Sequence, residues 1–300
     1  MIHFPISGVE TQWWLPLLFG IAVSTFTSTG GISGAFLLLP FQVSILGFTG
    51  PSVTPTNLIF NIVAIPSGVY RYWKEKRMVW SLVWATMLGT LPGIILGAFI
   101  RIHFLQDPRA FKLFVGLVLL YIGGRLATDV LKKPIISGQP ASSSFQVTNQ
   151  SFNLRQVRYE FEGVCYFAPT WGILLLSFIV GIVGGTYGIG GGAIISPFFV
   201  AVFKLPVHTV AGAALFGTFV TSIAGVIFYT IIAPFYAHTG LAITPDWLLG
   251  AMFGVSGAVG MYIGARLQRK LPARTIKTML VVCLLFVSIR YIIEFLSPLF

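Results

Sequence analysis

The chain has 300 residues, 56% of them hydrophobic and 9% charged, with a mean hydropathy of +0.88. A soluble domain carries about 25% charged residues, so composition excludes a water-covered globule. Lys and Arg number 19 against 8 Asp and Glu, a net charge of +11. In so apolar a chain that excess belongs to basic loops beside a bilayer, not to a nucleic-acid surface.

The opening stretch, MIHFPISGVETQWW, lacks the basic patch, apolar run and cleavage site of a signal peptide, so the first apolar segment is expected to stay. Two short apolar segments follow, Trp13–Ser28 and Ile32–Gly47, flanking Gly30 and Gly31. Each is 16 residues, about 24 Å of helix, against about 30 Å of hydrocarbon. They predict a hairpin that enters and leaves on one side. Full spans are predicted at Val53–Trp73, Met78–Ile100 and Ala110–Leu131.

From Lys132 to Ala168 the chain turns polar; Val157, Tyr159 and Phe161 alternate there with Arg158, Glu160 and Glu162, which predicts a short β-hairpin. A second pair of short limbs, Pro169–Thr186 and Ile189–Phe203, precedes spans at Val207–Ala233, Asp246–Leu267 and Arg274–Phe295. The two sets are repeats. TGGISGAFLLLPF from Thr29 matches TYGIGGGAIISPF from Thr186. Trp80, Gly93, Gly97 and Ala98 align with Trp247, Gly260, Gly264 and Ala265, and Arg109, Lys112, Arg125 and Asp129 with Arg274, Lys277, Arg290 and Glu294.

Charge then fixes the orientation of the repeats. With an odd number of crossings per half, one side receives Arg71, Lys74, Lys76, Arg77, Lys132, Lys133, Arg155, Arg158, Lys204, Arg266, Arg269, Lys270, Arg274 and Lys277, 14 of the 19 basic residues. The other receives Arg101, Arg109 and Lys112. Parallel halves would split the same loops eight against nine. The positive-inside rule selects the first arrangement. The expected fold is therefore an all-α integral membrane protein of two inverted-topology repeats, each a broken, re-entrant helical hairpin plus three transmembrane helices. Residues 1–131 form the first repeat, 132–168 a cytoplasmic connecting loop and 169–300 the second repeat. Secondary transporters and channels both use this plan, with binding near the midplane where broken helices meet.

The breaks are the first candidate site: Thr29, Gly30, Gly31, Ile32, Ser33 and Gly34 in one half, and Thr186, Tyr187, Gly188, Ile189, Gly190 and Gly191 in the other. Glycine lets a ligand approach the backbone. The limb after each break starts a helix whose free N–H groups and positive dipole end favour an anion. The competing reading is close packing of the two hairpins. Asn57 and Asn61, four apart, and Thr218 with Ser222, also four apart, give polar faces that either line a substrate path or bond helices together. Gly89, Gly93 and Gly97, and Gly250 with Gly254, fit helix packing. Arg125 with Asp129 and Arg290 with Glu294 have the spacing of pairs along one helix. No acid falls mid-span, and Cys165 and Cys283 lack partners at ligand spacing; no catalytic set, metal site or cofactor is expected. Bulk at Gly34 or Gly191 is expected to block a ligand and spare the fold, whereas bulk at Gly93 should harm the fold.

Taken together, TYGIGGGAIISPFF, LPVHTVAGAALFGTFVTSIAGV and DWLLGAMFGVSGAVGMYIGARLQ resemble the TauE/SafE group of sulfite-exporter-like membrane proteins, and TNLIFNIVAIPSGVYRYWKEKRMVW resembles one branch of it. The resemblance covers nearly the whole chain outside 132–168. It implies transport of small sulfur-containing anions, such as sulfite, thiosulfate or organosulfonates, through a bacterial inner membrane. Ser33 stands where the second break has Gly190.

Overall fold

A chain surrounded by hydrocarbon must satisfy its backbone N–H and C=O groups internally, and a helix does so within one segment. A computed structural model describes residues 1–29, 33–131, 146–267 and 273–297. Its first half contains α1 (Trp14–Thr29), α2 (Ala35–Ser44), α3 (Val53–Ala64), α4 (Pro66–Lys74), α5 (Trp80–His103) and α6 (Pro108–Leu131). Its second contains α7 (Thr170–Tyr187), α8 (Gly192–Val202), α9 (Val207–Ile232), α10 (Trp247–Leu267) and α11 (Ala273–Leu296). Among the described residues, six helices are long and apolar enough to cross a bilayer: α5, α6, α7, α9, α10 and α11. The chain is a multi-pass membrane protein.

Three expectations are adjusted. The single span expected over Val53–Trp73 is two helices, because Pro66 has no N–H to continue the run beyond Ile65. Limb α7 has 18 residues and counts among the six candidate spans. The chain is also mostly rather than wholly helical. Strands β1 (Ile2–Phe4) and β2 (Val9–Thr11) pair ahead of α1, and β3 (Val147–Phe152), β4 (Gln156–Phe161) and β5 (Val164–Pro169) form an antiparallel sheet before α7. The alternation legible in 157–162 is the middle strand of that sheet, with Val157, Tyr159 and Phe161 buried.

Small residues set how the helices meet. Along α5, Gly89 faces Leu174 and Ser177, Gly93 faces Phe178 and Gly181, and Gly97 faces Ile182 and Gly185, so α5 and α7 run parallel in close contact. Helices α1 and α10 do the same, with Gly20 against Ser256 and Gly260 against Ile21 and Ser24. Two other pairs are antiparallel. Gly116 of α6 meets Ser288 and Tyr291 of α11 while Gly123 meets Leu284 and Leu285. Leu58 of α3 meets Gly225 of α9, and Gly68 of α4 meets Leu215. Side chains of Gly size allow such close approach.

The ends sort onto two faces. On the N-terminal face, the Ser7 hydroxyl donates to Asp246 (2.9 Å) and the Ser52 hydroxyl to the Thr244 carbonyl, so the β1–β2 hairpin, the α2–α3 loop and the α9–α10 loop lie together. On the opposite face, Val147 N–H donates to the Lys76 carbonyl (3.1 Å), and Tyr159 and Thr209 share a hydroxyl bond of 2.8 Å. This joins the sheet, the α4–α5 loop and the start of α9. Each short pair, α1–α2 and α7–α8, thus begins and ends on one face. Trp13, Trp14, Trp73, Trp80, Trp171 and Trp247 are exposed at helix ends, where an aromatic belt sits. Lys112 of α6 pairs with Glu294 of α11, so Glu294 has a partner across the helix pair rather than only along its own helix.

Candidate functional site

Chain reversal at the second break needs left-handed backbone. Gly188 (φ +87°) ends α7 and Gly190 (φ +73°) redirects the chain into α8; a side chain at either would be strained. The N–H groups of Gly188 and Ile189 both return to the Gly184 carbonyl, at 2.8 and 3.2 Å, closing the last turn of α7. At the first break, Gly30, Gly31 and Ile32 lie outside the described residues, as does the side chain of Thr29. Ser33 and Gly34 lead directly into α2.

The two breaks converge on α3. Asn57 Nδ2 donates to the Ala35 carbonyl of α2 (2.9 Å) and to the Gly188 carbonyl (3.0 Å), while its Oδ1 accepts from Gln42 Nε2 (3.2 Å). One turn on, Asn61 Nδ2 donates to the Ile189 carbonyl (3.0 Å) and Oδ1 accepts the Ser33 hydroxyl (3.2 Å). Tyr187 crosses from the second break to the first, its hydroxyl donating to the Phe36 carbonyl at 2.7 Å. On the other flank α9 supplies hydroxyls. Gly191 N–H donates to Thr221 Oγ1 (3.3 Å), and the Thr218 methyl lies beside Gly190. All of these polar side chains are buried.

Most of the expected donors are therefore committed within the protein. The Thr186 hydroxyl lies against the Gly97 carbonyl (3.0 Å) and its own Ile182 carbonyl (2.9 Å). That of Thr218 returns to Ala214 (2.9 Å). The packing reading of the glycines also has substance: a Cβ on Gly191 would stand 2.7 Å from Thr90 Cγ2, and one on Gly188 2.7 Å from the Thr54 carbonyl. Gly191 is thus not a fold-neutral position. Gly34 is roomier, its nearest neighbours being Phe60, Ser24 and Val23 at 3.2–3.3 Å.

Two hydroxyls stand out, Ser222 from the expected polar face of α9 and Ser24, which the expected set lacks. Ser24 of α1 and Ser222 of α9 are fully buried and have no hydrogen-bond partner among the described residues. Ser24 Oγ lies 3.3 Å from where a Cβ would sit on Gly34, at the start of α2; Ser222 Oγ lies 3.1 Å from that point on Gly190, just before α8. Each helix start thus faces one buried hydroxyl whose hydrogen is uncommitted, and an unpaired buried polar group is costly to leave so. Thr27, one turn beyond Ser24, is buried and unpartnered as well. Sequence alone marks Ser24 only as a small polar residue in an apolar limb. Two grooves, about 400 Å³ beside Trp73, Trp80 and Phe216 and about 340 Å³ beside Tyr121, Ile179 and Phe198, are apolar and open on the flanks. They suit lipid rather than a polar ligand.

A helical bundle with two interrupted hairpins meeting at a buried polar centre is the plan of a membrane transporter. The sulfite exporter TauE/SafE pattern matches residues 16–291, and the chain belongs to that family. It is similar to the probable membrane transporter protein YunE of Bacillus subtilis, 24% identical over 285 residues that cover 93% of this chain and 96% of YunE. YjnA of the same organism, also a probable membrane transporter protein, is 21% identical over 92% of this chain and 98% of its own length. The probable membrane transporter protein MamO of Paramagnetospirillum magneticum is 23% identical over 91% of this chain, which spans 43% of MamO. No solved structure matches the chain.

Proposed function

We propose that this protein carries a small sulfur-containing anion, such as sulfite, thiosulfate or an organosulfonate, out across a bacterial inner membrane. The anion binds between the starts of α2 and α8. The observation that carries this reading is the pair of uncommitted hydroxyls, Ser24 and Ser222, buried at those two starts. Helix starts supply N–H groups and positive potential, the serines supply O–H donors, and no buried cation is left unpaired when the site empties. Gly34, Ser33, Ile189, Gly190 and Gly191 form the backbone cradle. Asn57, Asn61 and Tyr187 hold its shape through their bonds to carbonyls of the second break and of α2, with Thr186 and Thr218 beside it.

The two halves, 1–131 and 169–300, are inverted repeats in this reading, joined by a cytoplasmic segment over 132–168. Support comes from helix direction. By the sequence alignment α6 corresponds to α11 and α3–α4 to α9, and both pairs pack antiparallel, while α1–α10 and α7–α5 are exchanged counterparts that pack parallel. The excess of basic residues supports a cytoplasmic location for the face holding Lys74, Arg158 and Lys204. The burial of Asn57, Asn61 and Tyr187 favours a carrier caught closed to both sides over an open pore.

A cell-negative potential drives a monoanion outward by about 2.3 kcal/mol per 100 mV, so export requires no coupled cation. The test is flux of labelled sulfite, thiosulfate, a sulfonate and chloride from proteoliposomes under imposed potentials. Saturable sulfur-anion flux that follows the potential is expected. Strict dependence on a sodium or proton gradient, or flux of chloride alone, would overturn the proposal.

A further inference from the structure

Among the described residues, one basic side chain is buried without a countercharge. Arg101, in the last turn of α5, has no exposed surface. Its Nη1 donates to the Leu105 carbonyl and its Nη2 to the carbonyls of Thr49 (3.0 Å) and Gly50 (3.1 Å), in the loop joining α2 to α3. The guanidinium carbon Cζ lies 3.7 Å from the Phe111 ring centroid. Among the described residues its Nε–H has no partner and no carboxylate pairs with it. Carbonyl oxygens satisfy direction but leave the charge un-neutralised, and an uncompensated buried cation is expensive. A snorkelling arginine would turn its head to water; this one turns inward.

Position gives the charge a use. Arg101 follows Gly97 by one turn, about 6 Å along α5, and the Gly97 carbonyl is where the Thr186 hydroxyl of the second break rests. An anion moving from the breaks to the N-terminal face along α5 meets this guanidinium next. By the alignment that pairs Trp80 with Trp247, the residue at the matching position is Gln268, with Arg269 and Lys270 directly after it, so the arginine is not repeated at that position.

We propose that Arg101 is a second anion-binding station, on the N-terminal side of the breaks, which takes the sulfur oxyanion through Nε–H and an Nη released from the α2–α3 loop. A planar fork with two adjacent N–H groups matches two oxygens of one oxyanion. Exchanging loop carbonyls for the anion couples its passage to release of the loop, so the station also acts as the latch of that side. This inference rests on the transport reading above.

The test compares wild type, Arg101→Lys and Arg101→Gln in proteoliposomes, with sulfite presented at one face at a time. Orientation is read from an impermeant maleimide on Cys165, which is exposed on the sheet side. Arg101→Gln is expected to raise half-saturation at the N-terminal face about 10-fold, the worth of about one charge-assisted bond, and to leave it unchanged at the sheet face. Arg101→Lys keeps the charge without the fork and should fall between; it carries the test if the glutamine variant fails to reach the membrane. A merely structural Arg101 would lower melting temperature and maximal rate for both faces alike, with half-saturation unmoved, and that result overturns the inference alone. Wild-type vesicles inert to sulfite, thiosulfate and sulfonates would overturn the transport reading and the inference together.

Discussion

Residues 1–131 and 169–300 bring different chemistry to the centre. The first half contributes amides: Asn57 and Asn61 reach out of α3 to hold the carbonyls of Gly188 and Ile189 in the opposite break. The second contributes hydroxyls: Thr218 and Thr221 on α9 mostly return to their own helix, at Ala214 and Gly217. The first half also carries Arg101 where the second has Gln268. Asn57 and Asn61 thus tie the second break to α3, whereas the α9 hydroxyls mostly serve their own helix.

The largest expected effect breaks the packing that the halves share. Gly93→Leu puts a side chain where Gly181 Cα would lie 2.9 Å from its Cβ, and Gly260→Leu does the same against α1. Overpacking of this kind costs about 1–3 kcal/mol or more. Both variants should lose folded yield in fluorescence-detected gel filtration; a normal yield for either would show that the α5–α7 and α1–α10 contacts are not equivalent.

Next in size is the amide against the hydroxyl. Asn61→Ala strands the Ile189 carbonyl and the Ser33 hydroxyl, a loss of about 1–3 kcal/mol. Thr218→Ala removes only a bond within its own helix and should cost well under about 1 kcal/mol. Melting in detergent checks the order, and equal shifts would erase the distinction between the halves. Ser24→Ala and Ser222→Ala sharpen it further. Neither breaks a bond within the protein, so each should leave melting within about 0.5 kcal/mol of wild type yet raise half-saturation for sulfite about 10-fold.

The smallest effect lies outside the membrane. Burial pushes the Tyr159 hydroxyl up to about 12, the Thr209 bond pulling the other way. A proton held more tightly in the folded state stabilises it below the ordinary value of 10.0, and that contribution fades as pH climbs from there toward 12. The sheet's grip on α9 should therefore be flat with pH to about 10 and then weaken. Tyr159→Phe should remove that dependence, measured by proteolysis of the β3–β5 segment across pH.

Much of this was legible from residue order because it depends on local or periodic features. Spans follow from apolar length, breaks from Gly188 and Gly190, and the sheet strand from alternation at 157–162. Helix packing followed from four-residue glycine spacing, although the partners did not. What remained hidden depends on residues far apart in the chain. Ser24 matters because Gly34 folds back onto it, and Arg101 reads as a loop charge until the Thr49 and Gly50 carbonyls close around it. The division at Pro66 was available from proline's missing N–H, but hydropathy across Val53–Trp73 concealed it.

The central claim is that the anion sits between the two helix starts. Selenite is a pyramidal oxyanion like sulfite, and its selenium scatters anomalously, so its position in a crystal of the wild-type protein tests the claim most directly. The account expects an anomalous peak between Gly34 and Gly190, within hydrogen-bond reach of both Ser24 and Ser222 through its oxygens. A protein that transports sulfite yet binds selenite only away from both serines would contradict it.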